Sequence, residues 1–218
     1  MLLFNKENAA RFDRNTKTNF AQVYPVIAKQ ILNKTGIVEG ICIDLGSGPG
    51  PLAMAIAKIT SLSVLSLDLS PAMTEIAMEN FRDEGLDNQI SSITGNVQAI
   101  PLSEESIDLV ISRGSMFFWE DKTAAFLEIN RILRPGGWAY VGGGFGTPEL
   151  AAMINSKLSE KNRRNRFDRH KRGRGDHNPD NYHQALSNAK IWCYNLQKDE
   201  SGFWITFQKP DIKIVDVN

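Results

Sequence analysis

The chain has 218 residues, of which 42% are hydrophobic, and its 25 Lys and Arg residues balance its 25 Asp and Glu residues. These values indicate one globular domain with a substantial core. No apolar run approaches the roughly 20 residues of a membrane span, and the N-terminus lacks the charged start and long apolar core of a signal peptide. Cys42 and Cys193 lie in apolar, strand-like sequence. We therefore expect a cytoplasmic protein with two buried thiols, without a disulfide or a cysteine zinc site.

The charge is unevenly distributed along the chain. Residues 157–174 contain nine Lys or Arg residues and two acids, which leaves a net charge of −7 on the rest of the chain. This basic segment has three interpretations: contact with nucleic acid or phosphate, a lid that meets an anionic substrate or the acidic body, or a solvated loop without a role. Phe167 is its one aromatic residue, so base stacking is thinly supported and nucleic acid is the less favoured partner. Three histidines match no metal motif and are expected at the surface: His170, His177 and His183.

The predicted elements begin with residues 1–35, where apolar side chains recur at helical spacing. Pro25 interrupts this pattern and predicts two helices or one kinked helix. Strands and helices then alternate, which predicts a parallel sheet with helices on both faces. The predicted strands are Ile41–Leu45, Val64–Asp68, Ile90–Thr94, Ile107–Ser112 and Trp138–Gly142. The predicted helices are Pro51–Ile59, Pro71–Glu84, Thr123–Leu133, Pro148–Leu158 and Asp180–Ser187.

The chemistry of the connections supports these limits. Ser70 is predicted to cap the helix that begins at Pro71, and Gly85 to end it. Residues 134–137, with the sequence Arg-Pro-Gly-Gly, predict a turn. The last two apolar runs flank residues 198–202 and predict an antiparallel hairpin. These runs are Ile191–Leu196 and Phe203–Gln208.

A glycine loop follows the first predicted strand. Asp44–Gly50 reads D-L-G-S-G-P-G and precedes a predicted helix. A strand, a glycine loop and a helix N-terminus bind adenosine-containing cofactors in α/β proteins. The dinucleotide fingerprint requires a third glycine where this chain has Pro51, which argues against a nicotinamide cofactor. The pattern instead resembles motif I of the class I S-adenosylmethionine (SAM)-dependent methyltransferases.

Further motifs in the same order strengthen the resemblance. Asp68 ends the second predicted strand, 24 residues after Asp44. Thr94–Pro101 resembles the G-D-A-x-x-L-P loop of this family, with Asn96 in place of the acid. Arg131–Gly137 matches its L-x-P-G-G turn. The resemblance covers about residues 36–145, and the final hairpin loosely.

This resemblance implies a Rossmann-like, doubly wound α/β fold with a mostly parallel seven-stranded sheet and a C-terminal antiparallel hairpin. The cofactor would be SAM and the product S-adenosylhomocysteine. We expect a single methyltransferase domain, 1–218, with four segments. They are an N-terminal helical lid (1–35), a SAM-binding core (36–145), a helical and basic insertion (146–188) and the hairpin (189–218).

The resemblance also assigns cofactor contacts. Gly46 and Gly48 would let the backbone approach SAM without a Cβ in the way, and Ser47 lies between them. The free N–H groups of the following helix would face the methionyl end or the ribose. Asp44 would orient this loop or pair with the cofactor's ammonium. Asp68 would accept hydrogen bonds from the ribose hydroxyls, although it could instead cap a helix.

The remaining contacts lie after later strands. Leu69 would offer apolar surface to the adenine. The Asn96 side-chain oxygen would accept a hydrogen bond from the adenine amino group, and the Val97 N–H would meet a ring nitrogen. Arg113 would pair with the methionyl carboxylate or brace its loop. No metal ligand set is expected.

The methyl acceptor has no motif, because displacement at a sulfonium needs alignment and exclusion of water more than covalent help. Tyr24, Phe117 and Phe118 are the candidate substrate contacts, with simple packing as the alternative. We expect a SAM-dependent methyltransferase with a small-molecule acceptor and no membrane partner. The alternatives are an RNA methyltransferase that uses residues 157–174 and a non-catalytic SAM-binding regulator.

Overall fold

A computed structural model describes residues 4–164 and 175–211. The strands in these ranges are β1 Ile41–Leu45, β2 Ser63–Asp68, β3 Ile90–Thr94, β4 Ile107–Arg113, β5 Leu133–Gly144, β6 Tyr194–Asp199 and β7 Gly202–Gln208. The helices are α1 Lys6–Asn19, α2 Val23–Thr35, α3 Pro51–Ala57, α4 Pro71–Asp83, α5 Lys122–Ile132, α6 Pro148–Arg164 and α7 Pro179–Asn188.

The strands form one sheet in the order β3-β2-β1-β4-β5-β7-β6. Strands β1 to β5 pair in parallel, and β7 pairs antiparallel with both β5 and β6. The predicted Rossmann-like α/β fold with its C-terminal hairpin is therefore confirmed. Because the chain runs outward from β1 to β3 and then returns to β4 on the other side of β1, the strand order reverses between β1 and β4. Ligands of doubly wound folds bind at this point.

Both faces of the sheet are covered. One apolar cluster lies between the sheet and α5 and α7, and it includes Phe126, Leu186 and Phe203. The other lies between the sheet and α2, α3, α4 and α6, and it includes Ile27 and Phe81. Burial on both faces explains why the central strands are continuous apolar runs rather than alternating ones.

The N-terminal pattern gives two helices, but Pro25 does not separate them. The break falls between Asn19 and Val23, so Pro25 lies in the first turn of α2. A proline is tolerated there because its missing N–H has no partner within the helix. The break therefore precedes the proline by several residues.

Two predicted connections differ in the structure. Ser70 precedes α4 but its side chain does not cap the helix; its hydroxyl instead donates to the Phe4 carbonyl oxygen over 3.2 Å. The predicted turn at 134–137 lies inside β5, where the pairing register with β4 shifts. Gly136 has a φ of +79° there, so the four residues form a bulge rather than a turn between elements.

The prediction of two buried thiols is wrong for Cys193. Cys42 is buried in β1, whereas Cys193 is exposed. Strand β6 begins at Tyr194, so the apolar run before it lies outside the sheet. Trp192, the neighbouring residue, is 72% exposed.

The described residues include no helix long and apolar enough to cross a membrane. Most of the basic segment, including His170, lies outside the described residues. His177 and His183 are exposed as expected. His183 bonds the Tyr194 hydroxyl over 2.7 Å, and the described residues contain no cluster of potential metal ligands.

Candidate functional site

Three charged side chains meet where the carboxyl ends of β1, β2 and β4 lie side by side. Asp44 and Asp68 come from β1 and β2, and Arg113 ends β4. The sheet register places Asp44 beside Ile111, two residues before Arg113. This edge is the point of strand-order reversal, so the fold places the charges where a cofactor crevice forms.

The glycine loop is held to β2 by its backbone. The N–H groups of Gly46 and Ser47 donate to the Leu67 carbonyl over 2.7 and 3.0 Å. The Ser47 hydroxyl accepts a buried hydrogen bond from Ser66 over 2.6 Å. Ser47 thus fixes the loop with its side chain, and that side chain is already bonded within the protein.

Glycine is required at the end of this loop. Gly50 has a φ of +82°, and a Cβ there would lie 2.3 Å from a ring carbon of Phe81. Any other residue would be strained in its backbone and would also displace a buried ring. Pro51 follows at the first position of α3, so the loop passes directly into a helix N-terminus.

Asp68 holds the loop from the other side. Its Oδ2 accepts from the Gly48 N–H over 2.8 Å, and its Oδ1 accepts from the Ser70 N–H over 2.9 Å. Burial raises the pKa of Asp68, while these two N–H groups lower it. Neither donor lies within a helix, so Asp68 fixes the glycine loop and the residue before α4 rather than capping a helix. Its contact with the ribose stays a prediction. Each carboxylate oxygen keeps a second lone pair with which it can accept from a ligand.

Asp44 is a buried acid that is incompletely bonded. It is 1% exposed, and within the described part of the chain its Oδ2 has no hydrogen-bond partner. Burial raises its pKa from an ordinary 3.8 to about 7, against the opposing effects of the Ala53 N–H and Arg113. An orphaned buried carboxylate oxygen is costly unless a ligand supplies a donor.

Arg113 lies among aromatic rings. Its guanidinium carbon is 4.9 Å from the ring centre of Tyr24, 5.7 Å from that of Phe20 and 5.9 Å from that of Phe145. Its Nε donates to the Gly144 carbonyl over 2.9 Å, and its Nη1 donates to the Tyr24 hydroxyl over 3.1 Å. The rings stabilise the cation, and burial lowers its pKa. Among the residues that the structure describes, its Nη2 has no bonded partner.

Asp44 and Arg113 interact electrostatically but are absent from the ion pairs within 4.0 Å that the described residues form. Near the same edge of the sheet, Asp44 therefore has an unused hydrogen-bond acceptor, and Arg113 has unused donors. An α-amino-acid group, with an ammonium and a carboxylate, complements this arrangement. SAM carries such a group at its methionyl end, so these residues fit the cofactor.

The predicted adenine contacts are less complete. Leu69 is half-buried beside Asp68. Asn96 is exposed, and its side-chain oxygen accepts from the Gln98 N–H over 2.9 Å, which closes a local turn. Val97 is half-buried and packs on the core. The adenine contact of Asn96 stays a prediction.

The three candidate substrate residues have different environments. Tyr24 is buried at Arg113, and Phe118 is 48% exposed. Phe117 is buried in the core, where it stacks on His177 with 4.1 Å between ring centres. It also occupies the space beside Gly143, where a Cβ would lie 2.5 Å from its ring. The packing alternative is thus supported for Phe117, while Tyr24 remains at the site.

Sequence reasoning missed two contributors to this region. Phe20 stacks on Phe145 with 6.2 Å between ring centres, and both rings enclose Arg113. Asn80 is buried at 5% exposure on the face of α4 that packs inward. Its position between the apolar Ala77 and Phe81 in an otherwise amphipathic helix was the available signal.

Two surface clefts lie elsewhere. One is lined by Gly40, Asp108 and Arg134, at the amino ends of β1 and β4. There the Asp108 carboxylate accepts from the Ile41 N–H over 2.7 Å and pairs with Arg134 over 2.8 Å. The other lies beside Trp192. Neither includes a residue of the carboxyl edge, and the Asp108 carboxylate is already satisfied. The candidate functional site is therefore the one at Asp44 and Arg113.

Comparisons with known proteins identify the family of the fold. A family described as "Methyltransferase domain" matches residues 43–141. A crystal structure from Methanococcus maripaludis (mmp1179), described as a candidate SAM-dependent methyltransferase, is 41% identical. The match covers 99% of this chain and 98% of that chain, with a TM-score of 0.87.

Curated relatives match over shorter stretches. Methyltransferase GfsG of Streptomyces halstedii is 30% identical over 95 residues, which are 44% of this chain and 34% of GfsG. The ubiquinone/menaquinone biosynthesis C-methyltransferase UbiE of Hahella chejuensis is 25% identical over 132 residues, which are 59% of this chain and 53% of UbiE. The chain thus spans between about a third and a half of the length of these two relatives. From its fold, its motifs and its nearly full-length similarity to the Methanococcus protein, the chain belongs to the class I S-adenosylmethionine-dependent methyltransferases.

Proposed function

We propose that this protein transfers the methyl group of SAM by direct displacement to a small-molecule acceptor and releases S-adenosylhomocysteine. The observation that carries the proposal is the pair of unsatisfied charges at the carboxyl edge. The Asp44 carboxylate has an unbonded oxygen, and Arg113 has N–H groups beyond the two that bond Gly144 and Tyr24. Bound SAM supplies a methyl carbon that is activated by an adjacent sulfonium.

The residues of this chain bind and orient. Asp44 accepts from the ammonium of the methionyl group, and Arg113 donates to its carboxylate. Asp68, fixed by the Gly48 and Ser70 N–H groups, accepts from the ribose hydroxyls. These contacts hold the cofactor in one orientation, which lowers the entropic part of the barrier.

The aromatic side chains shield Arg113, and with it the methionyl end of the proposed cofactor site, from water. Phe20, Tyr24 and Phe145 surround Arg113. Burial raises the pKa of the Tyr24 hydroxyl, so this group stays protonated at neutral pH and is not a ready general base. The proposal therefore assigns catalysis to alignment and exclusion of water, and a base is needed only for an acceptor that must lose a proton.

A small acceptor is favoured by these apolar rings, which suit a small organic molecule. UbiE, one of the relatives, is named for a step of quinone biosynthesis. The RNA alternative depends on the nine basic residues of 157–174, most of which lie outside the described residues. RNA methylation would require salt-sensitive RNA binding that is lost when Arg163, Arg164 and Arg166 are neutralised.

Calorimetric titration with SAM and S-adenosylhomocysteine tests the cofactor half of the proposal. Asp68→Asn removes a charged acceptor, and we expect it to weaken SAM binding about tenfold or more. Glu84→Gln makes the same charge change at an exposed ion pair with Lys58 and should bind SAM as the wild type does. Absence of SAM binding by the wild type would refute the proposal.

Release of S-adenosylhomocysteine tests the acceptor half. The purified protein is incubated with SAM and panels of quinones, phenols, prenyl diphosphates and RNA. Turnover with a small molecule supports the proposal, and turnover with RNA alone would replace it with the nucleic-acid alternative. SAM binding without turnover on any of these panels would favour the regulatory alternative.

A further inference from the structure

One buried amide joins three parts of the molecule. The Nδ2 of Asn80 in α4 donates to the Pro49 carbonyl over 2.9 Å and to Asp13 Oδ1 over 3.0 Å. Its Oδ1 accepts from Lys17 Nζ over 2.6 Å. Asp13 and Lys17 are also ion-paired over 2.9 Å. Asn80 thus ties the glycine loop to α1 through hydrogen bonds that use both ends of its side chain.

The Pro49 carbonyl lies next to the residue of the loop that bonds Asp68. Proline has no N–H, so its carbonyl is its single polar backbone group. The residue before it, Gly48, donates its N–H to Asp68 Oδ2 over 2.8 Å. Asn80 and Asp68 thus hold two adjacent residues of the glycine loop, Pro49 and Gly48.

Helix α1 lies across the same loop. A Cβ on Gly48 would be 3.6 Å from the Phe12 ring, and just before α1 the Phe4 carbonyl accepts from the Ser70 hydroxyl over 3.2 Å. The apolar cluster between α1 and α4 is small, consisting of Ala9, Ala72 and Met73 with Ile76 packed against them. Because so little apolar surface holds α1 in place, its polar links to Asn80 carry a large share of its attachment.

We propose that Asn80 is a positioning residue for cofactor binding, which fixes the Pro49 carbonyl and holds α1 closed over the glycine loop. This inference rests on the proposed function, because it takes SAM as the ligand of the loop. Loss of the Asn80 amide frees α1 and loosens the loop at the same time. The main consequence is faster release of the cofactor, while the rate of methyl transfer at saturating SAM stays nearly the same.

Two substitutions separate the links. Asn80→Ala removes the hydrogen bonds to Pro49, Asp13 and Lys17. Asp13→Ala removes one of the two links to α1, together with the Asp13–Lys17 ion pair, and keeps the hydrogen bonds to Pro49 and Lys17. We expect Asn80→Ala to raise the dissociation rate of S-adenosylhomocysteine about tenfold or more, and Asp13→Ala to raise it by a smaller factor. Lys58→Ala breaks an exposed ion pair between Lys58, just after α3, and Glu84, and it serves as the control with a wild-type rate.

Stopped-flow measurement of S-adenosylhomocysteine release gives these rates. In the methyl-transfer assay, Asn80→Ala should raise the KM for SAM about tenfold and change kcat less than twofold. A merely structural role would lower the active fraction and leave KM unchanged. Wild-type dissociation from both variants, or an equal loss in kcat with unchanged KM, would overturn the inference.

Hydrogen exchange without cofactor separates this inference from the proposed function. Asn80→Ala should speed amide exchange in α1, Lys6–Asn19, while the amides of β1 and β4 keep their wild-type protection. If the wild type binds no SAM, the proposed function fails. Amide exchange in α1 still shows whether the Asn80 hydrogen bonds hold this helix in place. If Asn80→Ala does not fold, Asp13→Ala carries the test, and unchanged α1 exchange in that variant would count against the inference.

Discussion

Replacement of Asp44 by Asn should stabilise the free protein and lower its affinity for SAM. Asp44 is 1% exposed, and its carboxylate has one unbonded oxygen in the described structure. Its pKa is raised by burial to about 7. Asn has nearly the same shape and no charge, so it removes the cost of burying an ion while it keeps an acceptor for the Ala53 N–H.

Proton linkage gives the direction in which the free energy of unfolding changes with pH. In the folded state this acid keeps its proton between pH 3.8 and about 7, a range in which the unfolded chain has lost it. Stability therefore falls as pH rises through this window and levels off above it. At about 1.4 kcal/mol for each pKa unit, ionised Asp44 costs the folded state about 4 kcal/mol at pH 8.

Urea unfolding at a series of pH values from 4 to 9 measures this difference. Asp44→Asn should gain up to about 4 kcal/mol over the wild type at pH 8, and the gain should vanish towards pH 4. In calorimetry the same variant should bind SAM about 10- to 100-fold more weakly, since it loses a charged hydrogen bond. A difference in unfolding free energy that does not depend on pH, or a variant that is less stable at pH 8, would refute the reasoning.

Three further outcomes follow from the described contacts. Gly50→Ala should destabilise the protein by about 2–4 kcal/mol in urea unfolding, because its Cβ meets a buried ring, whereas Gly36→Ala has open space and should cost about 1 kcal/mol. Arg113→Lys should weaken SAM binding about tenfold in calorimetry, since an ammonium cannot keep both existing hydrogen bonds and still present a fork; equal affinity would contradict this role. A thiol reagent should modify Cys193 rapidly and Cys42 only on unfolding, and two fast thiols would contradict the burial of β1.

The fold could be predicted because its central strands have local signals. Ile41–Leu45 and Ile90–Thr94 have the predicted limits, since each is a short run of mainly apolar or β-branched residues between two connecting segments. The errors arose where a signal has two meanings. Pro25 can break a helix or sit in its first turn, and the apolar run at Cys193 is the approach to a strand rather than the strand itself.

The site could be predicted in part. The positions of Asp44 and Asp68 follow from the ends of parallel strands, which the alternation of elements indicates. The bond between Arg113 and Tyr24 joins residues 89 positions apart, and nothing in the local sequence specifies it. The role of Asn80 depends likewise on α1 and the glycine loop meeting on one helix, a tertiary contact that periodicity does not encode.

The strand order has a consequence for selectivity. Strands β1 and β4 are adjacent, are flanked by β2 and β5 on their outer sides, and have helices on both faces. Local fraying at the sheet edges is expected to leave these two strands in place, so their backbone fixes the separation of the Asp44 and Arg113 Cα atoms. Under the proposed function, the protein would meet its cofactor with both side chains already in place, and the entropic cost of arranging them would fall on folding rather than on binding. Two groups held at a fixed separation would then select the amino-acid end of the cofactor by its length, independently of the aromatic rings that are proposed to face the acceptor.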